Sequence, residues 1–274
     1  MLYSKEQIAN FHYQHFAFLI VEEKDNVLTI TLNRPEKRNA FHMPLSNELA
    51  YALAYAHYTN SIWAVVLKAN GPTFCAGADL KAFAGDDTVE RPSTIPMPSD
   101  MVKLGDEFNG LHKPCIAQVH ADVYAGGFLM ICGCTHVVAA DTAKFGLPEV
   151  KRGIWPFQVM ASLEPLMNSR QLLDLCLRAK TVDAQEAKRI GLVTDVVAAD
   201  QLESTVQSLV EDIKEQSPTA IRMGLQAFQE MKSLPADQKH KYLHGMLMKV
   251  LGSKDAAEGL AAFKEKRKPV WKGE

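Results

Sequence analysis

Residues 114–149 read PCIAQVHADVYAGGFLMICGCTHVVAADTAKFGLPE, and the fold turns on this stretch. The run 114–120 is apolar and β-rich and predicts a strand. The run 126–132 opens on two glycines and continues as an apolar segment suited to a buried helix. The run 136–140, HVVAA, is again strand-like. A strand, a helix and a further strand within so few residues argue for an α/β fold with parallel pairing.

The same alternation extends outward. Upstream, 62–68 (IWAVVLK) predicts a buried strand closed by a turn at Asn70-Gly71-Pro72, and 45–58 carries helical spacing at Leu45, Leu49, Leu53 and Ala56. Residues 18–32 hold two β-rich runs around Lys24-Asp25-Asn26, a hairpin signal. Residues 33–39 read as a loop, 4–16 as a short leading helix and 101–111 as a helix. Residues 82–100 lack periodicity, carry three prolines and are expected to form a mobile surface loop. Strands and helices alternate to about residue 196. Beyond Asp200 the chain turns helical, punctuated by Pro218 and Pro235. The expected division is an N-terminal extension (1–17), a core with the site (18–200) and a helical C-terminal region (201–274).

Hydrophobic residues make up 47% of the 274 and charged residues 23%, which excludes a disordered chain and permits a sizeable core. With 30 basic and 32 acidic side chains the net charge is −2, so sequence-independent binding to nucleic acid or an anionic membrane is not expected. No apolar run approaches the roughly 18 residues that cross a bilayer, and the N-terminus lacks the apolar core of a secretory signal. The five cysteines are odd in number and sit among apolar neighbours. Reduced, buried, structural thiols in a cytoplasmic compartment are the expectation, and the one-residue spacing of Cys132 and Cys134 is not that of a metal knuckle. No metal is expected.

Four segments carry chemistry. FCAGADLK (74–81) follows a strand and a turn; its small residues suit either a plain tight turn or close approach of a backbone N–H to a ligand. VYAGGFL (123–129) places paired glycines at a helix start, where unpaired N–H groups and the helix dipole suit an anion, a phosphate or a developing oxyanion; Gly-Gly also marks close packing. FGLPEV (145–150) offers Glu149 either as a base or as an exposed acidic loop residue. FKEKRKP (263–269) is either a solvated basic tail or a site for the phosphates of a nucleotide-like ligand.

The order of these motifs is what discriminates. LNRPEKRNA (32–40), then AGADLK (76–81), AGG (125–127) before an apolar helix, FGLPE (145–149), TVDAQEAKRIGLVTDVV (181–197) and the basic tail together resemble the crotonase superfamily, the enoyl-CoA hydratase/isomerase family, over roughly residues 18–274. The resemblance implies a spiral of β-β-α turns with a helical C-terminal region, assembly as a homotrimer or hexamer, and action on an acyl-CoA thioester through an enolate. No separate cofactor is implied, because coenzyme A belongs to the substrate.

By the same resemblance, the N–H groups of Ala78 and Gly126 form an oxyanion hole and Glu149 is the acid/base. Ala76, Asp79, Leu80, Gly127, Leu129 and Trp155 fall at substrate-contacting positions. Glu36, Lys37, Arg38, Lys81, Lys264, Lys266 and Arg267 fall near the coenzyme A moiety.

Two departures bear on mechanism. Hydratases of the family use two glutamates, and Leu129 stands where the first would be. Hydration needs water oriented and deprotonated while carbon accepts a proton, work that two carboxylates share; moving a double bond from the 3,4 to the 2,3 position needs only one. The expectation is therefore a one-base Δ3,Δ2 isomerisation by Glu149, with hydration and a non-catalytic acyl-CoA binder as the alternatives. The second departure, GIWPFQV (153–159), puts bulky residues where hydratases carry small ones, so that Trp155 and Phe157 either wall the acyl pocket or pack in the core. Asp122 and His120 are read either as a second polar group or as satisfied loop residues.

Overall fold

A computed structural model describes residues 1–83 and 92–274. The hairpin forms as expected: β1 (Leu19–Lys24) pairs antiparallel with β2 (Val27–Leu32), and Asp25 and Asn26 turn the chain with φ of 49° and 68°. Positive φ at both central residues matches the right-handed twist of the flanking strands, and Asn and Asp tolerate it best after glycine. Helix α1 (Met43–Tyr58) follows, and a short α2 (Leu80–Phe83) comes between the third and fourth strands; strands β3 (Ala64–Ala69), β4 (Cys115–Val119), β6 (His136–Ala140) and β9 (Asp195–Val197) come after the hairpin. They complete a six-stranded sheet in the order β1-β2-β3-β4-β6-β9, parallel from β2 onward.

A second sheet of three short strands, β5 (Val123–Tyr124), β7 (Lys144–Gly146) and β8 (Thr181–Asp183), stands beside it. The chain passes from β4 to β5 and then into α4 (Phe128–Cys132), and from β6 to β7 before α5 (Phe157–Leu163) and α6 (Ser169–Arg178). Two strands on different sheets followed by helix make each turn of the spiral. Helix α7 (Ala184–Arg189), capped by the Asp183 side chain on the Glu186 N–H, connects β8 to β9.

The large sheet is buried on both faces, the usual condition of parallel sheets. Val65 and Leu67 of β3 face the main core with Leu49, Leu53, Phe74 and Phe128. Ala64 and Val66 face the other way and meet Leu202, Val206 and Val210 of α8 (Leu202–Lys214). Helices α9 (Pro218–Glu230), α10 (Ala236–Leu251) and α11 (Lys254–Glu265) pack on one another at the C-terminal end. The buried Asp255 ties the tail to them by accepting from the N–H groups of Thr219, Lys272 and Gly273. No helix among the described residues is long and apolar enough to cross a membrane.

Three local expectations need correction. Residues 4–16 form turns and a 3-10 helix, Phe11–Tyr13, rather than an α-helix. This segment is held by tertiary contacts: Phe11 stacks on Tyr55 with ring centroids 3.7 Å apart, and buried Glu48 accepts from the N–H groups of Ala17 and Phe18. The helix expected at 101–111 is shorter, α3 (Leu104–Asn109). The loop expected at 82–100 lies partly outside the described residues. Its second half is not loose, because Thr94 exchanges hydrogen bonds with His15 and the Pro96 carbonyl accepts from Tyr3.

Candidate active site

Two segments far apart in sequence are laid side by side by a parallel bridge between Cys75 and Val123. The Tyr124 N–H donates to Cys75 O at 2.9 Å and the Phe74 N–H to Asp122 O at 3.0 Å. A second bridge pairs Phe41 with Ala78: the Phe41 N–H donates to Gly77 O and the Asp79 N–H to Phe41 O, at 2.9 and 2.8 Å. In this register the Ala78 N–H is left out, and no hydrogen bond holds it among the described residues. Gly126 lies in the 3-10 turn Ala125–Gly127 that leads into α4, where the first N–H groups of a helix have no intrahelical acceptor.

The two N–H groups adjoin because glycine allows it. A Cβ on Gly77 would lie 2.6 Å from Ala125 Cβ and 3.0 Å from Gly126 N; a Cβ on Gly126 would lie 2.7 Å from the Phe41 ring and 3.6 Å from Ala78 N. Gly77 takes φ +94°, a conformation open to glycine at no steric cost. Ala125 takes φ +51°, an unfavourable setting for a residue with a Cβ, held by the β5 pairing before it and α4 after it.

Beneath this pair, Arg34 and Asp79 form a 2.7 Å ion pair, and Asn39, fully buried, donates to the carbonyls of Asn70 and Thr73 while accepting from the Arg34 N–H. The Ala76 N–H donates to Arg38 O. The loop 33–39 is therefore a strut for the AGADLK segment.

Ala78 and Gly126 open onto a cavity of about 430 Å³ lined by Arg38, Ala76, Leu80, Tyr124, Pro148, Glu149, Arg152 and Ile154 among others. Glu149 starts a 3-10 turn, Glu149–Arg152, fixed by the Lys151 N–H on Pro148 O and the Ile154 N–H on Glu149 O. Its Oε2 is buried with no hydrogen-bond partner among the described residues. Burial pushes the Glu149 carboxyl above the usual carboxylate range, opposed by its own backbone N–H and by the Arg152 charge. Among the described residues, the cavity thus combines two N–H donors without an acceptor and one carboxylate whose proton affinity is raised by burial.

Of the residues expected at the site, Ala78, Gly126, Glu149, Arg38, Ala76 and Leu80 line this cavity. The others lie elsewhere. Asp79 is bound to Arg34 and to the N–H groups of Lys81 and Ala82. Gly127 is buried where a Cβ would meet Cys75 at 3.0 Å, so it serves packing. Leu129 lines a second cavity of about 150 Å³ with Lys103, Asp106 and Ser162, between α3, α4 and α5. Trp155 packs on the main core and Phe157 is exposed, so Ile154 lines the cavity in their place. Glu36, Lys37 and Lys81 are exposed and outside the cavity lining. Lys264 and Lys266 lie exposed at the end of α11, and Arg267 is held by Glu258 and Glu265. His120 meets Gly71 O, and Asp122 accepts from the Tyr124 hydroxyl and the Lys144 N–H. Both are satisfied loop residues.

Arg152, Tyr124 and Ile154 escaped the sequence reading. Arg152 carried a usable signal, three residues after Glu149 in a turn bounded by Pro148 and Gly153.

Among family models, one described as enoyl-CoA hydratase/isomerase matches residues 22–274. A mevalonyl-coenzyme A hydratase of Aspergillus fumigatus is 34% identical over 253 residues, covering 90% of this chain and 92% of that protein. A carnitinyl-CoA dehydratase of Escherichia coli is 33% identical over 254 residues, covering 90% and 95%. The crystal structure of an enoyl-CoA hydratase from Mycobacterium tuberculosis superposes with a TM-score of 0.83 at 29% identity, covering 94% of this chain and all of that one.

Proposed function

The chain belongs to the enoyl-CoA hydratase/isomerase family, and we propose that it moves a double bond in an enoyl-CoA thioester from the 3,4 to the 2,3 position, with Glu149 as the single acid/base. The observation that carries this proposal is that Glu149 is the one carboxylate among the described residues lining the cavity that holds the Ala78 and Gly126 N–H groups.

The thioester carbonyl oxygen sits between those two donors. Glu149 removes a proton from the α carbon, electron density moves onto the oxygen, and the two N–H groups meet the charge without reorganising; one such donor is typically worth roughly 3 kcal/mol of barrier. The enolate collapses as Glu149 returns the proton to the γ carbon. One proton leaves and one returns, so the step balances with no added cofactor, and coenzyme A enters with the substrate. Desolvation makes Glu149 a stronger base than an exposed glutamate. The coenzyme A moiety is assigned to Arg38, which lines the cavity with Ala76 and is exposed, while Lys264 and Arg267, outside that lining, would serve it only from another subunit.

Self-association as a trimer or hexamer is part of the same proposal and is supported by Leu247, Met248, Leu251, Leu260 and Phe263, apolar residues left exposed on α10 and α11. A cytoplasmic location accords with five unpaired cysteines.

Proton NMR of 3-hexenoyl-CoA in deuterated buffer tests the chemistry. Accumulation of the 2-enoyl product with deuterium incorporation is expected. Progress to the 3-hydroxyacyl product would establish hydration, the activity named for the relatives, and would replace the one-base proposal.

A further inference from the structure

Building on the thioester reading above, we infer that Arg152 forms an anion subsite for the far end of the acyl group, and that the preferred substrate is an acyl-CoA whose short chain ends in a carboxylate.

The geometry is that of one 3-10 turn. Glu149 and Arg152 are its first and last residues. At three residues per turn, side chains i and i+3 eclipse, separated along the axis by about 6 Å. Both line the same cavity. The turn cannot swing away, because Gly153 closes it in the left-handed conformation and its N–H donates to Val150 O. The base and a cation are thus presented together to whatever the cavity holds.

Arg152 has no ion pair or hydrogen bond among the described residues, and its charge reaches Glu149 without pairing to it. Four arginines of this chain have carboxylate partners, Arg34 with Asp79, Arg178 with Asp174, Arg189 with Glu186 and Arg267 with Glu258, whereas the side chains of Arg38 and Arg170, like that of Arg152, have none among the described residues. Arg152 is exposed, so an anion held in the cavity can reach its guanidinium without displacing a protein contact. A carboxylate fits the planar fork of donors in two-point fashion.

Two anions could reach a cation here, a carboxylate on the acyl chain or a phosphate of coenzyme A. Position favours the first. Arg38 accepts through its carbonyl from the Ala76 N–H and so is grouped with the oxyanion loop. Arg152 shares its turn with Glu149, the base that the thioester reading sets against the reacting carbons. Pairing a terminal carboxylate with Arg152 would also relieve its repulsion from Glu149.

The test compares 3-hexenoyl-CoA with the monothioester of 3-hexenedioic acid, which differs by the terminal carboxylate, with the 2-enoyl isomers of both run in parallel. Wild type, Arg152→Met and Arg152→Lys are assayed for kcat/KM. Wild type is expected to prefer the carboxylated chain at least tenfold. Arg152→Met should erase that preference mainly through KM, and Arg152→Lys should restore part of it. Turnover of both chains without preference would overturn the subsite and leave the thioester reading standing. A proportional loss on both chains in Arg152→Met would place the residue on coenzyme A and likewise overturn the inference. Turnover of none of the four compounds by wild type would overturn the thioester reading and the subsite together.

Discussion

Arg34 and Asp79 meet in a 2.7 Å ion pair whose side chains are 8% and 15% exposed, and Asp79 directly follows Ala78, which lines the cavity. The pair joins the loop after β2 to the loop after β3, and Arg34 also donates to Ala40 O. Its burial makes each partner depend on the other.

Removing Asp79 leaves a buried guanidinium without its anion. Asp79→Ala is expected to cost about 3 kcal/mol of stability and to lower kcat as the Ala78 segment loosens. Burial raises the Asp79 carboxyl, but the Arg34 hydrogen bond, the Ala82 and Lys81 N–H groups and the Arg34 charge outweigh it and hold the carboxyl below the usual range. A depressed carboxyl contributes stability above its unfolded pKa, lost as pH falls through the folded one. Acid unfolding monitored by circular dichroism should therefore show the wild-type advantage over Asp79→Asn shrinking below about pH 4.

Glu149→Gln removes the base. Turnover should fall by roughly 100-fold or more, while acyl-CoA binding measured by calorimetry persists. In wild type the rate should fall as pH drops through a pKa above the ordinary glutamate value, because only the ionised carboxylate accepts the proton. Stability moves the other way. A raised carboxyl contributes fully below its unfolded pKa and loses that contribution as pH rises through the folded one. Glu149→Gln should thus raise Tm at pH 7, with the gain vanishing in acid.

Gly77 tests the oxyanion geometry without touching an acid or base. Alanine there meets Ala125 Cβ at 2.6 Å in a backbone setting of φ +94°. The strained backbone alone costs about 1–3 kcal/mol. Displacing Gly126 should lower kcat on top of that, as chemical denaturation and steady-state kinetics on one preparation would show.

Lys113 is buried, donates to Thr59 O at 2.6 Å and has no carboxylate partner among the described residues. Burial, assisted by the Arg222 charge, pushes its ammonium down to about 7. A depressed lysine adds stability as pH rises toward its unfolded pKa and loses it as pH falls through the folded value. Lys113→Met should therefore gain on wild type in Tm at pH 6 and lose most of that gain by pH 10.

Much of the core was legible because parallel strands buried on both faces write themselves as short apolar runs. Residues 62–68, 114–120 and 136–140 each hold a strand of the large sheet. Helix length was harder where tertiary contacts replace local propensity, as at 4–16, where aromatic stacking on Tyr51 and Tyr55 holds the segment instead of helical hydrogen bonds. The resemblance put Asp79 at a substrate-contacting position, and the structure shows it bound to Arg34. Sequence records a charge but not the charge it faces.

By itself the sequence determined the strand–helix alternation and the family, and it marked three positions that line one cavity and are proposed for the site: the turn at Ala78, the glycine start at Gly126 and the carboxylate at Glu149. Those depend on local properties, on small residues, unpaired helix-start N–H groups and a turn-bound acid. Only the tertiary structure decided which of them meet. The Cys75–Val123 bridge brings Ala78 to Gly126, the 3-10 turn carries Arg152 to the side of Glu149, and α4 directs Leu129 toward a different cavity. Each of these follows from strand register and helical phase, which fix where a side chain points only after distant segments have packed.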